Sequence, residues 1–412
     1  MLKIREHITV FEHEKLFTNK GEKTISDELH LALENYYGEY SPFFNLIRNG
    51  VQFNEFVGVI QVGNTLIEVL PKADKNGEEV WRPMLINMIR TVWGFQVRDT
   101  GSSSLKIRNN SILDLYFELF VIEVEKLLHK GLIKKYNNTQ GNLFALKGRL
   151  NFAKQISNNL THQERFFVDY TQYSVDHLLH SIIYKALKLV GQINSNINLK
   201  GRIGALLLNF PEMKDVAVSN ATFEKITFDR KNFHYKKSIE IARLILLNYH
   251  PDISRGKNNV LALMFDMNLL WEQFVYVVLK RNLKNAKVIS QISKNFWYAE
   301  SGSRVRMKPD IVIETSHGKI VLDTKWKNMQ ASINPSPEDL RQMYVYHDYF
   351  EANQVALVYP GQESIVKGRY YTNKSELSEK LCSLIQIATN TDFRSWKSKI
   401  SESISEFAMP SE

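Results

Sequence analysis

The chain has 412 residues, 44% hydrophobic and 24% charged, the balance of a globular protein with room for two or more cores. One cysteine, Cys382, excludes an internal disulfide and a thiolate metal cluster and fits a reducing cytoplasm. The net charge of +9 suits a polyanionic partner, while no run of about 18 apolar residues is present to span a membrane.

The N-terminal MLKIREHITVFEHEK alternates apolar and charged residues and lacks the apolar run of a signal peptide. In VQFNEFVGVIQVGNTLIEVLPK (51–72), two alternating runs around Val62-Gly63-Asn64 predict a hairpin. Segment 78–95 places Trp81, Leu85, Met88, Ile89 and Val92 on one helical stripe. Thr100–Ser104 is expected to be a loop. Segment 111–131 reads as a helix apolar nearly all round, closed by Lys126, His129 and Lys130 before Gly131.

From Lys126 to His162 the chain carries no acid, while Lys130, Lys134, Lys135, Lys147, Arg149 and Lys154 accumulate. That pattern fits either a solvated face or a docking surface for phosphate or an acidic partner. Further helices are predicted at 176–192, 203–210, 236–249 and 265–283. A break near 160 divides an expected β-rich and helical N-terminal domain (1–160) from a C-terminal domain (161–412, core 265–360).

The chemistry concentrates in MKPDIVIETSHGKIVLDTKWK (307–327). Thr315-Ser316-His317-Gly318 is rich in turn formers, so 309–314 and 319–326 should pair as a hairpin. Side chains two apart on a strand share a face. Asp323, Lys325 and Lys327 then point one way, and Leu322, Thr324 and Trp326 the other. Arg304, Arg306, Lys308 and Asp310 share a face if the first strand starts early. Two carboxylates and several cations would meet near the strand ends. Hard Mg²⁺ takes carboxylate and carbonyl oxygens, and a neighbouring lysine can stabilise charge developing on a phosphodiester. Salt-bridged charges at a strand edge would leave the same short pattern. No histidine-based metal motif is present, and His317 and His347 read as polar or hydrogen-bonded groups.

Pro309-Asp310, twelve intervening residues and Asp323-Thr324-Lys325 resemble the PD-(D/E)xK nuclease core. Glu272, in LLWEQFVYVV (269–278), matches the acid that such nucleases present from a preceding helix. Gln342-x-x-x-Tyr346, an i, i+4 pair, is similar to the Gln/Tyr helix of the RecB-like branch. Over most of the chain, segments 56–72, 146–187 and 265–275 resemble the McrC family, nuclease subunits of modification-dependent restriction systems. The resemblance implies a mixed α/β (α+β) chain with a partner-docking N-terminal domain and a restriction-endonuclease-like sheet flanked by helices. It implies catalytic roles for Asp310, Asp323 and Lys325, with Glu272, Gln342 and Tyr346 in support. It further implies Mg²⁺, which Mn²⁺ can replace, held by Asp310, Asp323, Glu272 and the Thr324 carbonyl. Arg304, Arg306, Lys308 and Lys327 would contact modified double-stranded DNA. The expected partner is a McrB-type AAA+ GTPase, consistent with the lack here of any G-x-x-x-x-G-K-[ST] loop. A stand-alone RecB-like nuclease and a non-catalytic activator of an AAA+ ring are the alternatives.

Overall fold

A computed structural model describes residues 6–37, 42–72, 78–92, 112–194, 196–247, 249–250, 260–327, 335–389 and 392–408. They form two units that alternate along the chain. One takes the described residues of 109–263 with Glu6 and Gln61–Asn64; the other takes those of 7–60, 65–108 and 264–412.

The second unit begins with β1 (Glu6–Phe11), β2 (Lys15–Phe17), α1 (Asp27–Tyr36), β3 (Phe44–Ile47) and β4 (Gly50–Phe53). Then come the expected hairpin, β5 (Phe56–Val62) and β6 (Thr65–Leu70), and the expected helix α2 (Glu78–Val92). Ser26 caps α1 by accepting from the Leu29 amide, and Asp27 and Glu28 suit its positive end. β2, β4 and β3 form one small sheet. β5 and β6 are buried almost throughout, so they read as apolar runs rather than a clean alternation. On α2 the predicted stripe of Trp81, Leu85, Met88 and Ile89 is fully buried. The loop expected at 100–104 lies outside the described residues.

The first unit is mainly helical, with α3 (Ile112–Lys130), β7 (Lys135–Leu143), β8 (Arg149–Leu150), α4 (Phe152–Asn159) and β9 (Phe166–Ser174) leading into α5 (Leu178–Ile193). It continues through α6 (Ile197–Asn209), α7 (Asn220–Glu224), α8 (Lys236–Leu247), β10 (Tyr249–His250) and the start of β11 (Val260–Asp266). The break read near 160 falls inside this unit, because β7 pairs with β9 along its whole length, Lys135↔Ser174 to Leu143↔Phe166. His177 caps α5, its Nδ1 accepting from the Leu179 amide. His180 is buried, with Nδ1 2.6 Å from the Val175 carbonyl and Nε2 2.9 Å from the Tyr235 hydroxyl.

The C-terminal part of the second unit runs α9 (Met267–Asn282), β12 (Lys287–Ser290), β13 (Lys294–Tyr298), β14 (Arg304–Met307), β15 (Ile311–Thr315) and β16 (Gly318–Thr324). After these come α10 (Pro337–Tyr349), β17 (Ala352–Gly361), β18 (Ser364–Tyr371), β19 (Leu377–Ala388) and α11 (Phe393–Ala408). Six strands form a mixed sheet of order β12-β15-β16-β17-β19-β18, with β17 parallel to both β16 and β19. This is the mixed α/β sheet flanked by helices that the sequence implied. Ile311, Val312, Ile313, Ile320, Val321 and Leu322 are buried, as expected of strands covered on both faces. Trp271 of α9 donates from Nε1 to the Val358 carbonyl at 3.3 Å and stacks on Trp396 of α11. Trp326 packs edge-on against both Trp81 and Trp271, and its Nε1 donates to Glu12 at 2.8 Å. Residues from both ends of this unit therefore share one aromatic core beside the hairpin.

Candidate active site

The hairpin geometry explains the acid spacing. Thr315 pairs with Gly318 and Ile311 with Leu322, so residues whose numbers sum to 633 stand opposite one another. Continued by one step, that register places Asp310 opposite Asp323, where side chains of an antiparallel pair lie closest. Gly318 permits the turn. Its φ is +128°, and a Cβ there would meet the Asn353 side chain at 1.9 Å.

Hydrogen bonds fix each carboxylate. Asp310 Oδ2 accepts from the Thr324 amide at 2.7 Å and from the Thr324 hydroxyl at 2.9 Å. Asp323 is 2% exposed; its Oδ1 accepts from Gln342 Nε2 at 3.2 Å, and its Oδ2 lies 2.8 Å from Lys325 Nζ. Gln342 also donates to the Tyr346 hydroxyl at 2.8 Å, which donates to the Lys308 carbonyl at 3.2 Å. The i, i+4 pair on α10 thus ties the helix both to Asp323 and to the segment entering Asp310. Glu272, half-buried on α9, accepts from Gln291 Nε2 at 2.8 Å. It lines a concavity of about 280 Å³ with Tyr276, Ser290 and Gln291.

The charges are in tension. Burial, and then the charge of Asp310, push the Asp323 carboxyl up to about 6. Burial likewise raises Asp310, against donation from Thr324 and the charges of Lys325 and Lys308. Glu272 rises to about 7, through burial first and then through Asp310 and, more weakly, Asp323. Three carboxyls therefore feel each other's charge. For Lys325, burial works against the charged form, but Asp323, Asp339 and Asp310 outweigh it and the net shift is upward. Lys325 stays an ammonium ion.

The structure draws Asp310, Asp323, Thr324, Lys325, Gln342 and Tyr346 into one network, with Glu272 and Lys308 within electrostatic reach. Lys327 is exposed and pairs with Asp339 at 3.4 Å. Arg304 and Arg306 do not extend the strand that bears Asp310. They lie on β14, in a separate two-stranded sheet with β13, because Lys308 and Pro309 interrupt strand pairing. His317 is exposed at the hairpin turn, and His347 lies on α10, lowered by burial.

Sequence reasoning missed Asp339, which lies 3.4 Å from Lys325 Nζ and is 7% exposed. In the sequence it is one more first-turn acid behind the cap Ser336. The Thr324 hydroxyl and Gln291 were also missed, since neither residue type announces itself.

The donor set suits a hard divalent cation: oxygens only, on buried acids that repel one another. Among the described residues, however, no three Asp, Glu, His or Cys side chains already stand together as a cation cage. Glu272 is held by Gln291 and Asp323 by Lys325.

A family model described as the McrBC 5-methylcytosine restriction system component matches residues 51–360. The chain is 24% identical over 319 residues, 72% of its length, to the type IV methyl-directed restriction enzyme EcoKMcrBC of Escherichia coli K12, of which 90% is covered. Its fold is similar to a refined half-complex from a tetradecameric assembly of Thermococcus gammatolerans McrB AAA+ hexamers with bound McrC. That match has a TM-score of 0.67 at 20% identity, covering 97% of this chain and all of the other. A second structure, of the Thermococcus gammatolerans McrBC complex, gives a TM-score of 0.48 at 21% identity, with 67% of this chain and 88% of that one covered.

Proposed function

The chain belongs to the McrBC restriction-component family, and on that footing we propose that it is the DNA-cleaving subunit of such a system. The reaction is metal-dependent hydrolysis of a phosphodiester in double-stranded, modified DNA. The observation that carries this reading is the Asp310–Asp323–Lys325 cluster, opposed by the hairpin register and held by Gln342 and Tyr346.

Mg²⁺, or Mn²⁺ in its place, would be held by Asp310, Asp323 and the Thr324 carbonyl with Glu272 near by, and would supply an activated water and charge neutralisation at the phosphate. The protein's own groups do the rest. Lys325, kept charged by Asp323 and Asp339, faces the negative charge that develops on the phosphoryl oxygens and stabilises it. It is not a general base, because its proton is held more tightly than in a free lysine. Gln342 fixes the Asp323 carboxylate, and Thr324 fixes that of Asp310, so neither must reorient during reaction.

The partner in this reading is an McrB-type AAA+ GTPase, in the cytoplasm, with this subunit stimulating it. Docking is assigned to the acid-free basic run that carries Lys134, Lys135, Lys147 and Arg149, in and around β7 and β8. Among the described residues no helix is long and apolar enough to cross a membrane.

The test is cleavage of modified plasmid DNA by the chain with its GTPase, GTP and Mg²⁺. Cleavage is expected with wild type and lost with Asp323→Asn. Full cleavage by that variant would remove the assignment.

A further inference from the structure

We infer that β13 and β14 form a DNA-gripping ribbon, which seats in a groove of the duplex and delivers the phosphodiester to Asp310 and Asp323. This rests on the nuclease reading and adds the element that holds the substrate.

A two-stranded ribbon with no further strand beside it is marginally stable in water, and among the described residues this one pairs with nothing but itself. Every residue of β13 is exposed, as are Arg304, Val305 and Arg306 of β14. The exposed set is not the polar surface of an idle loop. Phe296, Trp297, Tyr298 and Val305 are 48%, 56%, 62% and 51% exposed. Aromatic residues and arginine in this density mark recognition surfaces.

The pairing sorts the two faces. Tyr298 lies opposite Arg304, and Asn295 opposite Arg306. The Arg304 guanidinium lies 5.6 Å from the Tyr298 ring centroid, and Arg306 Nε donates to Asn295 Oδ1 at 3.2 Å. Both guanidinium groups are thereby pre-oriented, with donors to spare for phosphate oxygens. Trp297 opposes Val305 on the other face, an apolar pair suited to the sugar and base-edge surface of a groove. The register irregularity between Asn295 and Trp297 sets Phe296 apart from this alternation. Phe296 packs edge-on against Tyr349 of α10, whose hydroxyl donates to the Asn295 carbonyl. The base of the ribbon is thus fixed to the helix that carries Gln342 and Tyr346.

Continuity with the candidate site supplies the occupant. Met307 ends β14, and only Lys308 and Pro309 separate it from Asp310. The ribbon bears Lys294, Arg304 and Arg306, and its one acid is Glu300 at the turn. A polyanion matches that balance, and a two-stranded ribbon is an element that the grooves of DNA accept.

The experiment uses the full chain carrying Asp323→Asn, so that no DNA is cut, and measures binding of a fluorescent 30-base-pair duplex by anisotropy across a salt series. It is done with and without the GTPase partner. Arg304→Ala with Arg306→Ala should weaken binding roughly tenfold or more and reduce the salt slope by about 2, near one unit per lost phosphate contact. Arg304→Lys with Arg306→Lys should restore the slope. Trp297→Ala should weaken binding at every salt concentration without changing the slope. Melting temperatures should stay within a few degrees of the parent. No affinity that depends on the ribbon, whether binding is absent or unchanged, overturns the proposal. So does loss of GTPase binding with DNA affinity intact, which would make the ribbon a protein contact. Ribbon-dependent binding by a chain whose wild type cuts nothing would keep the ribbon and remove the nuclease.

Discussion

Lys325 is shared between two acids, at 2.8 Å from Asp323 Oδ2 and 3.4 Å from Asp339 Oδ1. Asp339 also pairs with Lys327 at 3.4 Å. It therefore aims the lysine without itself belonging to the opposed carboxylate pair. Asp339→Asn should lower the cleavage rate by about tenfold, the order of one weakened charge-assisted contact, with KM for DNA little changed. Asp339→Glu should recover part of the rate, which a purely structural role would not produce.

Asp310→Ala, Asp323→Ala and Lys325→Ala should each reduce Mg²⁺-dependent cleavage by about 10³-fold or more, beyond the loss typical of one transition-state donor. Circular dichroism and melting should show folded protein. An Asp310 variant that cuts at the wild-type rate would break the proposed pair.

The carboxyls also predict a pH dependence of stability. Asp323 at about 6 and Glu272 at about 7 hold protons more tightly than their ordinary values of 3.8 and 4.5. Between roughly pH 4 and 7 the native state binds more protons than the unfolded chain, so these groups make stability fall as pH rises. The loss is complete by about pH 8, one unit above the Glu272 value, and for the buried Asp323 it is on the order of 3 kcal/mol. Metal-free Asp323→Asn protein should therefore melt higher than wild type at pH 8 and show no such gain near pH 4. Mg²⁺ should raise the wild-type melting temperature more at pH 8 than at pH 5. Equal shifts at both values would sink the metal assignment without reference to cleavage.

Gln342→Ala should cost more rate than Tyr346→Phe, because Gln342 touches Asp323 directly while Tyr346 acts through it. Expected losses are about 30-fold and about fivefold, as befits positioning groups. Glu272→Gln should raise the Mg²⁺ concentration needed for half-maximal rate. A larger effect from Tyr346→Phe would point instead to its bond with the Lys308 carbonyl.

What the sequence made legible follows from short-range rules. The hairpin, the Asp310/Asp323 spacing and the Gln342/Tyr346 helix each depend on a period or a turn that a few residues declare. The helices predicted at 78–95, 111–131 and 236–249 are found, among the described residues, as α2, α3 and α8. The strand face was less legible: β14 leaves the line of β15 because Lys308 and Pro309 intervene, so Arg304 and Arg306 are carried on the ribbon. The division at 160 was out of reach, because the pairing of β7 with β9 is non-local. So was the return of residues 7–60 to the unit of the hairpin, since Glu12 gives no local sign that its partner is Trp326.

That last bond has a consequence for how the protein is made. Glu12 and Trp326 are 314 residues apart, and at about 5–20 residues per second a ribosome needs roughly 15–60 s to supply the second after the first. During that interval Val10, Leu16, Val51 and Phe53, all fully buried in the finished protein, emerge without the segments that complete their unit. The intervening stretch from 112 to 263 leaves the ribosome before the C-terminal segments and can fold while the N-terminal strands wait. Synthesis order thus makes the helical unit the early product and the hairpin unit the late one, with its N-terminal strands the part most in need of a chaperone.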